Sequence, residues 1–280
     1  MAVTTKSSQI VPAVWADMIQ ASFTGKLVLG QPGFTVVDNV LEGKPGDTVH
    51  FPKFGSLTDA DDLTEATAMT PEALTTSDST ASIKEAGKAV EISDTALLTA
   101  YGDPLGEVRR QLGVVVARKI DTDLKAAAEA AGAYTASGTS GAVLSWSAIT
   151  KAIAPFGDDW DPADMAGLVV HSKQHVDLLN DANFISADKM GAGAVMLRGQ
   201  VGAVGQVPVF VSDRVTTVSG TPNTYKALLV KKGALGLLYK RRPIVETDRD
   251  ILKRTQVVTT NVHYAVKRLN DKGVCVLQTL

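Results

Sequence analysis

The stretch Tyr101 to Gly132, YGDPLGEVRRQLGVVVARKIDTDLKAAAEAAG, most constrains what this chain can fold into. Asp103 is a good N-cap, and Pro104 takes the first helical position, where a missing N–H costs nothing. Leu105, Val108, Leu112, Val115, Ile120, Leu124 and Ala127 then recur at spacings of three to five, giving one apolar stripe. Arg109, Arg110, Arg118, Asp121, Lys125 and Glu129 fall mostly off that stripe, and Asp121 and Lys125 are spaced for an i,i+4 pair. The Ala-rich close runs into Gly132, a natural stop. At 1.5 Å per residue the helix would be roughly 40 Å long. That exceeds the usual three or four turns and predicts a spine on which other elements pack. Gly113 and the stiff run Val114, Val115 and Val116 predict a bend there.

Before the spine, residues 1–40 read as an N-terminal arm. Pro12 can start a short helix in which Val14, Trp15, Met18, Ile19 and Ala21 follow a helical period. A thin terminal segment gains little by packing alone, so Trp15 is a candidate contact with a neighbouring subunit. Residues 41–93 read as an extended loop. Gly43, Pro45 and Gly46 make a turn, Thr48 to Phe54 is a strand, and Pro52 places it at an edge. A polar excursion carrying Asp59, Asp61, Asp62, Glu65 and Glu72 follows, then a second polar strand from Ser77 to Ser93 with Lys84 and Lys88. Both strands have few large apolar residues, so neither can bury much within its own domain. A two-stranded element is marginal alone and becomes stable across another copy of the chain. Asp61, Asp62, Glu65, Lys84 and Lys88 are therefore candidate intersubunit contacts.

After the spine, residues 94–145 close one domain through the Gly/Ser/Thr-rich run from Gly132 to Ser145. Residues 146–237 have a compact α/β pattern. Ser145 or Ser147 can cap a helix through Ile149, Ile153 and Phe156, and Asp161 before Pro162 reads as a cap. Ala166 to Val170 is a buried strand, and Ser172 is read as capping a helix with Val176, Leu178 and Leu179. Gly191, Gly193, Gly199, Gly202 and Gly205 punctuate a loop-rich stretch before the strand Val207 to Val211. Lys226 to Val230 and Ala234 to Tyr239 are apolar runs. Residues 238–280 read as strands, including Thr255 to Thr260, His263 to Arg268 and Val274 to Leu277, that return to the spine as its packing sheet. The fold class is α+β.

Chemistry has little to stand on. Residues 199–205 read GQVGAVG, whose spacing misses the dinucleotide fingerprint, and no phosphate-loop motif occurs. His171 and His175 are four apart, yet a cap at Ser172 leaves His171 outside the helix and no third metal ligand is spaced nearby. GDDWDPAD at 157–164 lacks the oxygen ligands of a calcium loop, and GTSGA at 138–142 does not meet the nucleophile-elbow pattern. Cys275 lies in the apolar run VCVL and reads as inert core. Catalytic, cofactor-binding and metal residues are thus assigned to none. The 28 basic and 30 acidic residues leave a net charge of −2, which argues against a chain whose main task is gripping nucleic acid. No apolar run approaches the ~20 residues that cross a bilayer, and no membrane partner is expected. Lys240, Arg241 and Arg242 form a basic run whose interest is as a partner for the acidic excursion of another subunit.

The order of these parts resembles the major capsid proteins of tailed bacteriophages. The segments that carry the resemblance are PAVWADMIQASFTGKLV near the start, GKPGDTVHFPKFG entering the extended loop, and IKEAGKAVEISDTAL leading to the spine. GQVGAVGQVPVFVSD and KGALGLLYKRRPIVETDRD complete the set. Each is loose, and their order is the specific part. The resemblance implies an N-terminal arm, an extended β-loop, a peripheral domain with spine helix and sheet, and an axial domain at 146–237. It further implies pentamers and hexamers closing into an icosahedral shell around packaged double-stranded DNA, bound without sequence specificity. Scaffolding and portal proteins are the implied partners, with assembly in the host cytoplasm and a final place in the virion. No segment long enough for a built-in scaffold precedes the arm, so a separate scaffolding protein and an untrimmed chain are expected. An encapsulin-like compartment shares the implied fold. A soluble α/β enzyme is the alternative from another class.

Overall fold

The computed structural model describes residues 28–39, 42, 45–55, 57–58, 60, 62, 68–69, 71–99, 103–136, 141–181, 200–204, 207–220 and 222–280. The helix predicted around Trp15 lies outside them, as do Asp61 and Glu65.

The spine is helix α2 (Pro104–Ala128), preceded by the short helix α1 (Asp94–Thr99). Asp103 caps α2 as its sequence position predicts, its carboxylate accepting the N–H of Gly106 at 3.0 Å. The helix runs through Gly113 as one element, with no break in the helix at the glycine. Leu112, Val116 and Ala117 are buried on either side of that glycine, and their packing outweighs its weak propensity. Leu112, Ile120 and Leu124 of the expected stripe are buried, and the stripe differs by one position at two places. Val116 and Ala128 are buried, whereas Val115 is 41% exposed and Ala127 only half-buried. Three consecutive valines are equivalent in hydrophobicity, so the period alone could not choose among them. Asp121, expected on the wet face beside Lys125, is itself buried.

The helix lies on a four-stranded sheet ordered β1 (Thr35–Asp38), β11 (Leu235–Asp250), β12 (Thr255–Arg268) and β4 (Lys84–Ser93). β1 runs parallel to β11 and the other pairs are antiparallel. Strands β11 and β12 form one long hairpin where the sequence predicts separate short runs. Along β12, Val258, Thr260, Val262 and Tyr264 alternate onto the buried face, the period of a strand covered on one side. Val116, Ile120 and Leu124 meet Leu235, Leu237, Val262 and Tyr264 in one core cluster. Each such buried side chain contributes about 1.5–3 kcal/mol. Leu29 and Phe34 belong to the same cluster, so the segment expected to form the end of the arm at residue 40 contributes two residues to the core.

The second sheet has seven strands. Its path is β5 (Tyr134–Thr135), β13 (Val274–Thr279), β10 (Thr224–Lys231), β6 (Met165–Val170), β8 (Val207–Val211) and β7 (Gln200–Val204), with β9 (Thr217–Val218) also on β10. β13 therefore joins this sheet, and the segment 238–280, expected to return wholly to the spine, is divided between the two sheets. The central strands alternate between two cores. Val169, Leu228, Val230 and Val276 face the spine cluster, while Leu168, Val170, Leu229 and Cys275 pack with α3 (Trp146–Ile153) and Leu178 of α4 (Ser172–Asn180). The N-cap of α4 is His171, not Ser172. Its ring Nδ1 accepts the N–H of Lys173 at 3.2 Å while Gln174 Oε1 accepts the N–H of His171 at 2.9 Å. Of the three apolar residues predicted to hold α4, Leu178 is buried, whereas Val176 and Leu179 are exposed. Residues 200–204, expected in a loop, form β7 paired to β8.

Candidate intersubunit surfaces

The third sheet contains only β2 (Thr48–Phe54) and β3 (Thr76–Ser82), an antiparallel ribbon joined by a 21-residue excursion spanning 55–75. β2 has the bounds its sequence predicts. The predicted polar strand from Ser77 to Ser93 is divided at Ile83, which separates β3 on β2 from β4 on β12. Among the described residues 45–82, Ala81 is the one buried side chain. One face carries Thr48, His50, Asp78 and Thr80, and on the other Val49 and Phe51 are only half-buried beside Ala81, so the described residues of the ribbon form no apolar core.

What holds the ribbon is polar. His50 Nδ1 and Asp78 Oδ2 lie 2.5 Å apart across the strands. Gly55 donates its N–H to Thr75 O at 2.8 Å, and Thr58 donates both its N–H and its hydroxyl to Glu72 Oε2, at 3.1 and 2.8 Å. At the root, Ile83 donates its N–H to Asp47 O at 2.7 Å and Lys240 donates to the carbonyl of Gly46. Gly46 has φ +122°, a conformation that favours glycine at this turn. A notch of about 450 Å³ separates Ser77, Asp78 and Ser79 of β3 from Ala127, Ala130 and Ala131 at the end of the spine. Val266 and Lys267 of β12 line the same notch, and β3 approaches β12 there.

The candidate contacts divide on this geometry. Asp62 is exposed on the excursion, and Lys88 is exposed on β4. Lys84 is engaged within the subunit, its Nζ 2.7 Å from Asp123 Oδ2 and 5.5 Å from the ring of Tyr264. Lys240, Arg241 and Arg242 occupy an irregular stretch of β11 where the register with β12 shifts. Lys240 is spent on Gly46, and Arg241 donates to Asn261 Oδ1 at 2.6 Å. Arg242 is exposed. The structure adds four residues that charge patterning missed. Phe54, Leu57, Met69 and Leu74 are 71, 59, 72 and 56% exposed on the ribbon and its excursion. Four large apolar side chains exposed on an element without a core make this ribbon a candidate contact surface. Their signal in the sequence was faint, since single apolar residues among polar ones follow no period.

The structure places two of the residues that drew attention as candidates for chemistry, His171 and Cys275. His171 is a helix cap stacked on Tyr225 at 4.3 Å, and among the described residues no group of three or more His, Cys, Asp or Glu is placed to hold a metal. Cys275 is buried, which pushes its thiol up to about 12. Among the described residues no helix is long and apolar enough to cross a membrane.

A family model described as "Phage capsid protein" matches residues 76–277. This chain belongs to the phage capsid protein family. The match runs from the first residue of β3 into β13 and so takes in both large sheets and the spine. A major capsid protein of Staphylococcus phage phiMR11 is 33% identical over 277 residues, which is 98% of this chain and 94% of that one. Solved structures share the fold at lower identity. The capsid structure of cyanophage P-SCSP1u aligns with a TM-score of 0.69 at 14% identity, covering 99% of this chain and 93% of that one. A structure from Mycobacterium phage Che8 aligns with a TM-score of 0.67 at 16% identity over the same shares. The head structure of Helicobacter pylori bacteriophage KHP40 gives 0.65 at 12% identity, over 100% and 94%. The family member described here is a major capsid protein of a tailed phage, a structural component of the virion head. The encapsulin-like reading is set aside, because these relatives are phage capsids.

Proposed function

We propose that the chain closes as pentamers and hexamers into an icosahedral head shell around packaged double-stranded DNA, acting through its interfaces and not through catalysis. The observation that carries this reading is the ribbon β2–β3, which buries a single described side chain in its own subunit while exposing four large apolar ones. Obligate contacts between copies bury about 2,000 Å² or more, and closed symmetry asks every copy to supply matching patches. The ribbon supplies one patch. Its acidic excursion, with Asp61, Asp62 and Glu65, is assigned to the exposed basic side chains Arg242 and Lys88 of a neighbouring copy. Trp15 on the arm is assigned a second such contact.

The net charge of −2 suits a wall that encloses DNA without clamping it and without reading its sequence. A scaffolding protein during assembly in the host cytoplasm and a portal protein in the shell are the partners this function needs. The test is negative-stain electron microscopy of the chain co-expressed with its neighbouring genes. Closed shells of uniform diameter are expected, and small discrete particles under those conditions would refute the proposal.

A further inference from the structure

We propose that Asp121 and Asp123 are positioning residues that separately fix two segments beside the spine, Asp121 the turn at 28–34 that leads into β1 and Asp123 the root of the ribbon. The inference rests on reading the ribbon as an intersubunit strap.

Asp121 sits in the middle of the buried stripe, where a leucine or alanine would continue the core. Its Oδ2 accepts the N–H of Val28 at 2.9 Å and its Oδ1 the N–H of Gly30 at 3.3 Å, donors 93 and 91 residues away. Main-chain donors define where the backbone passes, whatever side chains it carries. The turn so held continues through Thr35, whose hydroxyl donates to Leu29 O at 2.5 Å, directly into β1. Asp123 receives Lys84 Nζ at 2.7 Å, the Tyr264 hydroxyl, and Lys119 Nζ at 3.1 Å. Lys84 is the first residue of β4, next to Ile83, where the chain passes from ribbon to body sheet. The side chain of Asp123 is only 11% exposed.

Residues i and i+2 point about 200° apart around a helix. The two carboxylates therefore lean to opposite flanks of the spine, one toward the turn at 28–34 and the other toward β4 and β12. A buried carboxylate that loses its donors is left uncompensated, which opposes any movement of the donor segment. Each segment is thus held at its root, while beyond the root the ribbon has almost no burial of its own. A fixed root with a yielding extension suits one chain that must fit both five-fold and six-fold surroundings.

The test is region-by-region hydrogen exchange of the folded, full-length free subunit in wild type, Asp121→Asn, Asp123→Asn and Lys84→Met, with circular dichroism confirming the fold. Loss of a charge-assisted bond should speed local exchange about tenfold. Asp123→Asn and Lys84→Met should do so at 76–93 and leave 28–38 within about twofold of wild type. Asp121→Asn should give the reverse pattern. Equal acceleration of both regions, or of neither, would overturn the assignment. So would a variant that no longer folds, because its residue would then be a general core element. Failure of the strap reading would appear separately, as an absence of closed shells from the wild-type chain.

Discussion

The spine core and the ribbon are built by opposite rules. Around α2 the stripe Leu112, Val116, Ile120 and Leu124 is at most 2% exposed and meets alternating residues of β11 and β12. The core is complete within one chain. On the ribbon and its excursion Ala81 is the one buried residue among the described side chains, and Phe54, Leu57, Met69 and Leu74 are presented to solvent. The first region is stabilised by its own fold, and the second, on the function proposed above, is completed by assembly. Substitutions should therefore separate into those that remove the subunit and those that remove the shell.

The largest expected effect is on the core side. Leu112 packs against Val245 and Val258, and Leu112→Asp would place an unpaired charge there. No folded, soluble protein should be recovered, as judged by yield and circular dichroism. Normal folding would mean that the inward face of the helix has been misassigned. Next comes Arg268, which is 4% exposed and closes the end of the spine. Its Nη1 donates to Ala128 O and Ala130 O at 3.1 and 2.7 Å, and its Nη2 to Ala131 O at 2.6 Å, while Asp271 pairs with it at 3.0 Å. A cation at a helix C-terminus also meets the favourable end of the helix dipole. Arg268→Ala should destabilise by about 3 kcal/mol, read from denaturant unfolding.

A pH effect of similar size belongs to Asp121. Burial pushes its carboxyl up to about 6, against the pull of the N–H groups of Val28, Gly30 and Leu29 and of the charge on Arg214. A folded-state pKa above the unfolded one means that the folded chain holds the proton more tightly. The resulting stability is fully present below about pH 4 and is lost as pH rises through about 6. Relative to Asp121→Asn, wild type should lose about 3 kcal/mol across that window. Parallel stability curves for the two proteins would show that Asp121 does not titrate there.

On the ribbon side, Asp61→Lys, Asp62→Lys and Glu65→Lys combined should leave subunit stability nearly unchanged yet impair shell formation. Intact particles with unchanged salt resistance would break the comparison. The smallest effect is expected at Leu252, 95% exposed at the tip of the β11–β12 hairpin. Leu252→Ser should alter subunit stability by under about 0.5 kcal/mol in thermal unfolding.

Legibility in the sequence followed the same divide. Asp103 and Pro104 announced the start of the spine, and the bounds of β2 were read from its turn and its polar composition, because these signals are local. The strand Val274–Thr279 was assigned to the wrong sheet because it is apolar on both faces, and periodicity does not say which neighbours a doubly buried strand has. Asp121 reads as a surface charge, and the role of Arg268 is not legible at all, because their partners lie 93 and 140 residues away. The acids of the ribbon were visible as composition. Its exposed apolar residues were not, since single apolar residues among polar ones follow no period.

The most direct measurement is hydrogen exchange of the ribbon amides, residues 48–54 and 76–82, in the free subunit and in the assembled shell. Fast exchange in the subunit and strong protection in the shell, with the spine amides slow in both, is the predicted result. A ribbon equally protected in the two states would contradict the claim that it is completed by its neighbours.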